Sequence, residues 1–190
     1  MASMLQVRPA RAEEAERVAE ILEDGKRTIA QFGIEQWQHG YPNIESVKAD
    51  IATGSCYVAE DADGALVGTL ALLSGIDPEY CRARIAWLTD NPCEQDGEAP
   101  YLAIHRSATA AEALGRGVMG AMFTAAEQIA RDRGALSIRI DTHPGNRAMR
   151  GFLAKQGFCE IAPIELTQKG DDETDLTRIA YEKLVTKCAK

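Results

Sequence analysis

No stretch of this sequence holds the roughly 20 consecutive apolar residues that a bilayer-spanning helix needs. Met1–Val7 has neither the basic start nor the apolar run of a secretory signal. These absences lead us to expect a soluble, unexported, cytoplasmic chain with no membrane partner. Positive charge is also short: 21 Lys and Arg stand against 29 Asp and Glu, for a formal net charge of −8. Nucleic-acid binding needs a basic stripe, so no nucleic-acid partner is expected. The five cysteines (Cys56, Cys81, Cys93, Cys159 and Cys188) are scattered and contain no Cys-x-x-Cys pair. That spacing suits neither a zinc site nor a disulfide framework, so we expect reduced thiols and no metal. Repeats, low-complexity tracts and linkers are missing too. The 190 residues are therefore read as one domain, residues 1–190, long enough to bury a full core without staples.

What is present is a regular alternation of short elements. Leu5–Arg8 reads as a strand ended by Pro9. From Ala12 to about Phe32, apolar residues at Ala15, Val18, Ala19 and Leu22 follow helical spacing, with Gly25 weakening the middle. A second helix is predicted over Glu45–Thr53. Cys56–Ala59 and Leu66–Leu73 read as strands joined through Asp61-Ala62-Asp63-Gly64, whose Asp-Gly step favours a tight hairpin. Ser74–Pro100 holds Pro78, Pro92, Gly97 and Pro100 and no long period. We expect an extended loop there, with one helical turn near Tyr80–Trp87.

Beyond it the patterning sharpens. Tyr101–Ser107 is predicted as a strand with Leu102 and Ile104 on one face and Tyr101, Ala103 and His105 on the other. Val118–Arg133 is a helix with an apolar stripe, ended at Gly134. Leu136–Asp141 alternates as a strand should. Asn146 caps a further helix that Gly157 stops. Phe158–Ile164 and Arg178–Leu184 are closing strands around an acidic run, Asp171–Asp175, read as a solvated turn.

Between the Tyr101–Ser107 strand and the helix after it lies Leu114-Gly115-Arg116-Gly117-Val118-Met119-Gly120. Glycines let a backbone approach a ligand closely. The first free N–H groups of the helix, backed by the positive end of its dipole, then make an anion site. Arg116 adds a cation, and Arg147 and Arg150 form a second basic group. A phosphate or pyrophosphate is the expected guest. Gly115, Gly117 and Gly120 also spell Gly-x-Gly-x-x-Gly, with Asp141 about 20 residues on, which is the fingerprint of a dinucleotide-binding oxidoreductase. Against that reading, Ala108–Leu114 separates the glycines from their strand. Only about 50 residues remain after Asp141, too few for a doubly wound fold.

More of the chain supports another reading. Ile104-His105-Arg106-Ser107-Ala108-Thr109, the glycine turn with its helix, Ser137–Asp141, Thr142-His143-Pro144-Gly145-Asn146 and Lys155-Gln156-Gly157-Phe158 together resemble the GNAT acetyltransferases. The resemblance spans nearly the whole domain and is strongest over Tyr101–Ile161. It implies an α/β (α+β) fold: a mixed, mostly antiparallel sheet of about six to seven strands, flanked by helices, whose middle strands splay. It further implies acetyl-CoA as co-substrate, no metal, and transfer of the acetyl group to the amine of a small molecule, or of an amino acid or peptide, by direct attack through a tetrahedral intermediate. Monomer and homodimer both stay open.

On that resemblance, the amides of Leu114, Gly115, Arg116, Gly117, Val118, Met119 and Gly120 hold the pyrophosphate. Ser107, Ala108 and Thr109 line the acetyl-pantetheine arm and polarise the carbonyl, and Asn146 is a cofactor-side residue as well as a helix cap. Leu114 and Met119 depart from the family's Gln/Arg-x-x-Gly-x-Gly/Ala turn. Leu153 stands where many members carry a proton-donating Tyr. These departures keep a second reading open, a non-catalytic acyl-CoA-binding or regulatory module. The candidate bases are His105, on the strand beside the carbonyl, and His143, in the loop before Asn146. Trp37, Tyr41 and Trp87 are the candidate acceptor-binding residues. Glu35, Asp61 and Asp90 are weaker candidates for recognising a cationic amine.

Overall fold

A computed structural model describes residues 5–93, 98–167 and 174–185 of the chain. Seven strands form one sheet: β1 (Gln6–Pro9), β2 (Cys56–Glu60), β3 (Leu66–Leu73), β4 (Tyr101–Thr109), β5 (Ser137–Thr142), β6 (Cys159–Glu165) and β7 (Thr177–Leu184). Their order is β1-β2-β3-β4-β5-β7-β6, and only the β4–β5 pair is parallel. The helices are α1 (Ala15–Ala30), α2 (Ile44–Ala52), α3 (Pro78–Arg82), α4 (Val118–Asp132) and α5 (Arg147–Lys155). This is the mixed, mostly antiparallel single sheet expected from the resemblance. It is not the all-parallel, doubly wound sheet that a dinucleotide fold requires.

Local chemistry accounts for most boundaries. The β2–β3 hairpin closes because Asp61 Oδ1 accepts from the Asp63 and Ala65 amides, at 3.0 Å each, and Gly64 takes φ +82°. Asn43 caps α2 by accepting from Ser46 N at 3.0 Å. Asn146 caps α5 by accepting from Met149 N at 3.1 Å. The first helical segment begins as a 3-10 turn over Ala12–Glu14 before α1 proper. Gly25, which sequence marks as a weakness, has a packing reason. A Cβ there would lie 2.9 Å from Ala108 Cβ, so glycine lets α1 settle directly onto β4. Leu102 and Ile104 join the main core, while Tyr101 and Ala103 join a smaller one with Tyr80, Ile164 and Leu166, as the alternation on β4 predicts.

Two expectations fail in the long loop. Its helical segment is α3, at Pro78–Arg82 rather than out to Trp87, because Asp77 caps it and Pro78 takes its first position. Cys81, in α3, and Cys93, beyond it, are joined by a disulfide with a Cα–Cα distance of 5.4 Å, so the expectation of reduced thiols fails for this pair. Linear spacing hid the pairing, since a turn of helix and a returning chain bring together cysteines 12 apart. Cys56 and Cys159 are free thiols, and Cys188 lies outside the described residues. Of the acidic run, Asp171–Glu173 also lie outside them. Asp175 is not simply solvated: its carboxylate meets His143 Nε2 at 2.6 Å.

Residues 87–91 of the long loop are fastened from below by a buried arginine. The Arg139 guanidinium lies 3.8 Å from the Tyr101 ring centroid and 4.1 Å from that of Trp87. It bonds Glu182 Oε1 at 3.0 Å, Asn91 Oδ1 at 2.6 Å and the Thr89 carbonyl at 3.1 Å. Arg139 and Glu182 are both fully buried. Burial alone would push the Glu182 carboxyl up, but hydrogen bonds from Ser137 and Thr89 and the charge of Arg139 hold it below the usual carboxylate range. Glu182→Gln leaves Arg139 without its counter-charge and is expected to cost about 3–5 kcal/mol, read as a lower denaturant midpoint at neutral pH. A carboxyl held low when folded contributes stability above its unfolded pKa and loses it as pH falls through the folded one. Acidification should therefore narrow the gap between wild type and variant.

Candidate active site

The site begins where two neighbouring strands stop pairing. β4 and β5 are in register only at Tyr101–Ser137, Leu102–Ile138 and Ala103–Arg139, yet β4 runs on to Thr109 and β5 to Thr142. The cause lies in β4. Against β3, Thr69 pairs with Ala108 and Ala71 with His105, so β4 carries one extra residue across that step. Arg106, within the bulge, has φ +47°, a left-handed conformation costly for a side chain of its size. It is held there by Asp50, whose two carboxylate oxygens accept from Nε at 2.6 Å and Nη2 at 2.7 Å. Tyr41 Oη accepts from its Nη1. The bulge bends β4 away and leaves its edge beyond Ala103 unpaired with β5.

The glycine turn sits on one side of this gap. A 3-10 turn at Ala111–Ala113 is pinned by Asp24 of α1, whose Oδ2 accepts from Ala111 N at 2.9 Å. Gly115 (φ +76°) and Gly117 (φ +80°) then reverse the chain into α4 in conformations that side chains resist, and space for a Cβ is open at both. The first amide of α4 to bond back is that of Ala121, to the Gly117 carbonyl at 3.1 Å. Those of Val118, Met119 and Gly120 precede it and have no intrahelical acceptor. They open on a cleft of about 670 Å³ that passes along α1, β4 and α5.

Of the residues the sequence nominated for a cofactor, Ser107, Ala108, Thr109, Leu114, Gly115, Gly117, Val118, Met119, Gly120 and Asn146 all line this cleft. Arg116 does not. Its guanidinium turns to Asp61, 3.7 Å away, and its amide bonds the Ala113 carbonyl. Leu153 is fully buried in the core, so the side chains that α5 gives the cleft are those of Asn146, Ala148, Met149, Phe152 and Lys155. Sequence reasoning missed Gly25 and Thr28 on α1 and Phe32 in the turn just beyond it. Only the helical spacing of 25, 28, 29 and 32 signals that face.

A smaller cavity of about 60 Å³ lies at the gap itself. It shares Ile29, Trp37, Ser107, Asn146 and Met149 with the cleft, so the two spaces adjoin. Its polar wall is made by Gln36, Tyr41, His105, Arg106, Asp141 and Arg178. His105 has little exposure, stacks on Tyr80 (centroids 6.0 Å, planes 19° apart) and meets Asp77 Oδ2 through Nε2 at 2.9 Å. Tyr80 Oη donates to Asp141 Oδ2 at 3.0 Å. Complete burial, together with the charges of Asp141 and Asp77, pushes the Tyr80 phenol well above its ordinary pKa, so it remains a donor.

The other nominated residues separate cleanly. Trp37 lines both spaces and Tyr41 the smaller one. Trp87 lines neither and packs on Tyr80 and Arg139. His143 also lines neither. Its Nδ1 accepts from Gly145 N at 2.9 Å and its Nε2 meets Asp175, whose carboxyl that hydrogen bond holds below the usual range. Glu35, Asp61 and Asp90 line neither space. Asp77, Tyr80, Gln36 and Arg178 were not anticipated as site residues. The Asp77-Pro78 pair is a readable helix start, but nothing local says that the helix lands beside β4.

A sheet opened at its parallel pair, with an anion-binding helix entrance on one side and a polar pocket on the other, defines an acyl-CoA-dependent acyltransferase. The chain belongs to the GNAT acetyltransferase family, whose profile matches residues 15–158. No curated protein matches the sequence. Among solved structures, a GNAT-family acetyltransferase from Streptococcus agalactiae superposes with a TM-score of 0.79 at 29% identity, covering 96% of each chain. The ribosomal-protein-alanine N-acetyltransferase of Brucella melitensis gives 0.67 at 16% identity, over 94% of this chain and 99% of that one. The PaiA N-acetyltransferase of Thermoplasma acidophilum, solved in complex with coenzyme A, gives 0.64 at 19%, over 95% and 99%. The last two establish likeness of fold alone. With this membership the dinucleotide-oxidoreductase reading falls.

Gly117→Val places a β-branched residue at φ +80° in the entrance to α4. The expected result is at least a tenfold rise in the Kd for acetyl-CoA, measured by calorimetry, while the far-UV spectrum keeps its native shape.

Proposed function

We propose that this protein moves the acetyl group of acetyl-CoA to the amine of a small molecule, or of an amino acid or peptide, by direct attack through a tetrahedral intermediate. The observation that carries the reading is the parting of β4 and β5 beyond Ala103, with the free amides of α4 on one side and His105 on the other. In this reading the amides of Val118, Met119 and Gly120 hold the diphosphate at the positive end of α4. The unpaired edge of β4 at Ser107–Thr109 aligns the acyl arm and donates to the thioester oxygen, where preorganised donors contribute most to acyl transfer. Trp37 and Tyr41 shape the acceptor's pocket. His105 takes the proton the amine must lose, a service worth about 10²–10⁴-fold. None of the α5 side chains on the cleft carries a hydroxyl. A thiol pKa near 8.5 lets the departing thiolate take its proton from water.

A second reading, an acyl-CoA-binding or regulatory module without catalysis, has one observation in its favour. Leu114 and Met119 both face the cleft where the family turn carries Gln or Arg and Gly or Ala. We favour catalysis because the cleft stays open at that turn and adjoins a pocket holding a histidine. A cytoplasmic protein, monomeric or homodimeric, is part of this proposal. The Cys81–Cys93 bond weighs the other way on compartment, since disulfides persist in oxidising surroundings.

Release of free thiol from acetyl-CoA, followed with a panel of amines, tests the reading, and no release with any amine favours the binding module. Against an accepted amine, His105→Ala is expected to lower kcat/KM by about 10²-fold or more and to remove the limb of the pH profile that reports the base. An unchanged profile takes His105 out of the mechanism.

A further inference from the structure

His105 cannot act as a base through a nitrogen that already bears a proton, so its tautomer decides whether the site works. The two neutral forms are close in energy, and the hydrogen bond at one nitrogen sets the state of the other. The partner here is Asp77. Its Oδ1 is committed to the start of α3, accepting from Glu79 N at 2.8 Å and Tyr80 N at 3.4 Å. Its Oδ2 faces His105 Nε2 at 2.9 Å. An ionised carboxylate accepts hydrogen bonds and donates none.

We infer that Asp77 is the positioning residue of the transfer site. By accepting Nε2–H it holds His105 in the one neutral tautomer whose lone pair, on Nδ1, is left for the acceptor's proton. This inference rests on the reading of His105 as the base. Three further contacts make Asp77 a rigid partner. Its own amide donates to Tyr101 Oη at 3.0 Å, which ties it to the first residue of β4. Tyr80, three residues on, lays its ring against the imidazole and fastens its hydroxyl to Asp141 on β5. Both side chains of the pair are nearly closed to solvent, at 9% exposure for His105 and 12% for Asp77. No hydrogen bond to Nδ1 is found among the described residues. During transfer the proton leaves the acceptor nitrogen for Nδ1 while the electron pair stays on nitrogen to attack. The imidazolium then rests against the Asp77 carboxylate until it gives that proton to water or to the departing thiolate.

Asp77→Asn separates positioning from folding. Asparagine caps a helix as well as aspartate does, so its oxygen keeps the α3 amides and its NH2 is turned to His105 Nε2. That donor forces the opposite tautomer, with the proton on Nδ1. We expect the 15N resonances of His105, recorded in the neutral imidazole form, to report Nε2–H in the wild type and Nδ1–H in Asp77→Asn. The kcat should fall about 100-fold or more while KM for acetyl-CoA stays within twofold. An Nδ1–H tautomer in the wild-type protein overturns the inference without recourse to any variant. So does an Asp77→Asn enzyme with kcat within threefold of wild type. His105→Gln distinguishes the two levels. Wild-type kcat in that variant removes the base reading itself, whereas loss there with none in Asp77→Asn removes only the role given to Asp77.

Discussion

The ion pair between Arg106 and Asp50 holds a strand out of register with its neighbour, and the site follows from that. A parallel pair such as β4–β5 has no intrinsic reason to stop after Ala103, since both chains continue in extended form. What stops it is a single extra residue whose left-handed backbone costs roughly 1–2 kcal/mol. Two hydrogen bonds donated to Asp50 of α2 and one donated to Tyr41 in the loop before it offset that cost. Asp50 and Tyr41 stand 56 and 65 residues before Arg106 in sequence, so the first third of the chain supplies the force that opens the last half. Gly25 completes the arrangement by letting α1 lie close enough to β4 to form the floor of the cleft.

On the far side of the gap, a different device fixes the wall. Arg139, between the rings of Trp87 and Tyr101 and paired with Glu182, draws the long loop down onto β4, β5 and β7. The loop therefore behaves as part of the sheet's covering layer. Its α3 segment, clipped by Cys81–Cys93, presents Asp77 and Tyr80 to His105. A buried charge of this kind adds little net stability over an apolar replacement. Its value here is geometric, because the guanidinium fixes where the Thr89 and Asp90 carbonyls and the Asn91 side chain must lie.

The fold was largely legible in the sequence, and the site only in half. Elements with a strong period or a cap announced themselves: the alternation of β4 and β5, the stripe of α4, the Asn146 cap and the Asp61 hairpin. The glycine turn was legible for the same reason, since Gly115 and Gly117 answer to local backbone geometry. Contacts between distant segments left no such trace. The Arg106–Asp50 pair joins residues 56 apart, and Asp77–His105 joins residues 28 apart. Arg106, Asp50 and Asp77, taken alone, each read as an ordinary solvated charge. Trp87 misled for the converse reason. An aromatic in a proline-rich loop suits a ligand wall and a core anchor equally well, and only the position of Arg139 decides between them.

The two histidines show how far residue type falls short of role. His105 lies in the middle of β4 and His143 just past the end of β5, and both have a carboxylate on Nε2. His143 differs in one contact: its Nδ1 accepts the Gly145 amide, so its lone pair is spent on turning the chain into Asn146 and α5. A Cβ at Gly145 would lie 3.1 Å from that nitrogen, so glycine is what lets the backbone come close enough to take it. His105 has no such claim on Nδ1, and it stands on the strand whose edge is left unpaired. The same imidazole–carboxylate couple thus closes a loop in one place and leaves a proton acceptor in the other. What separates them is whether the backbone has already used the remaining lone pair.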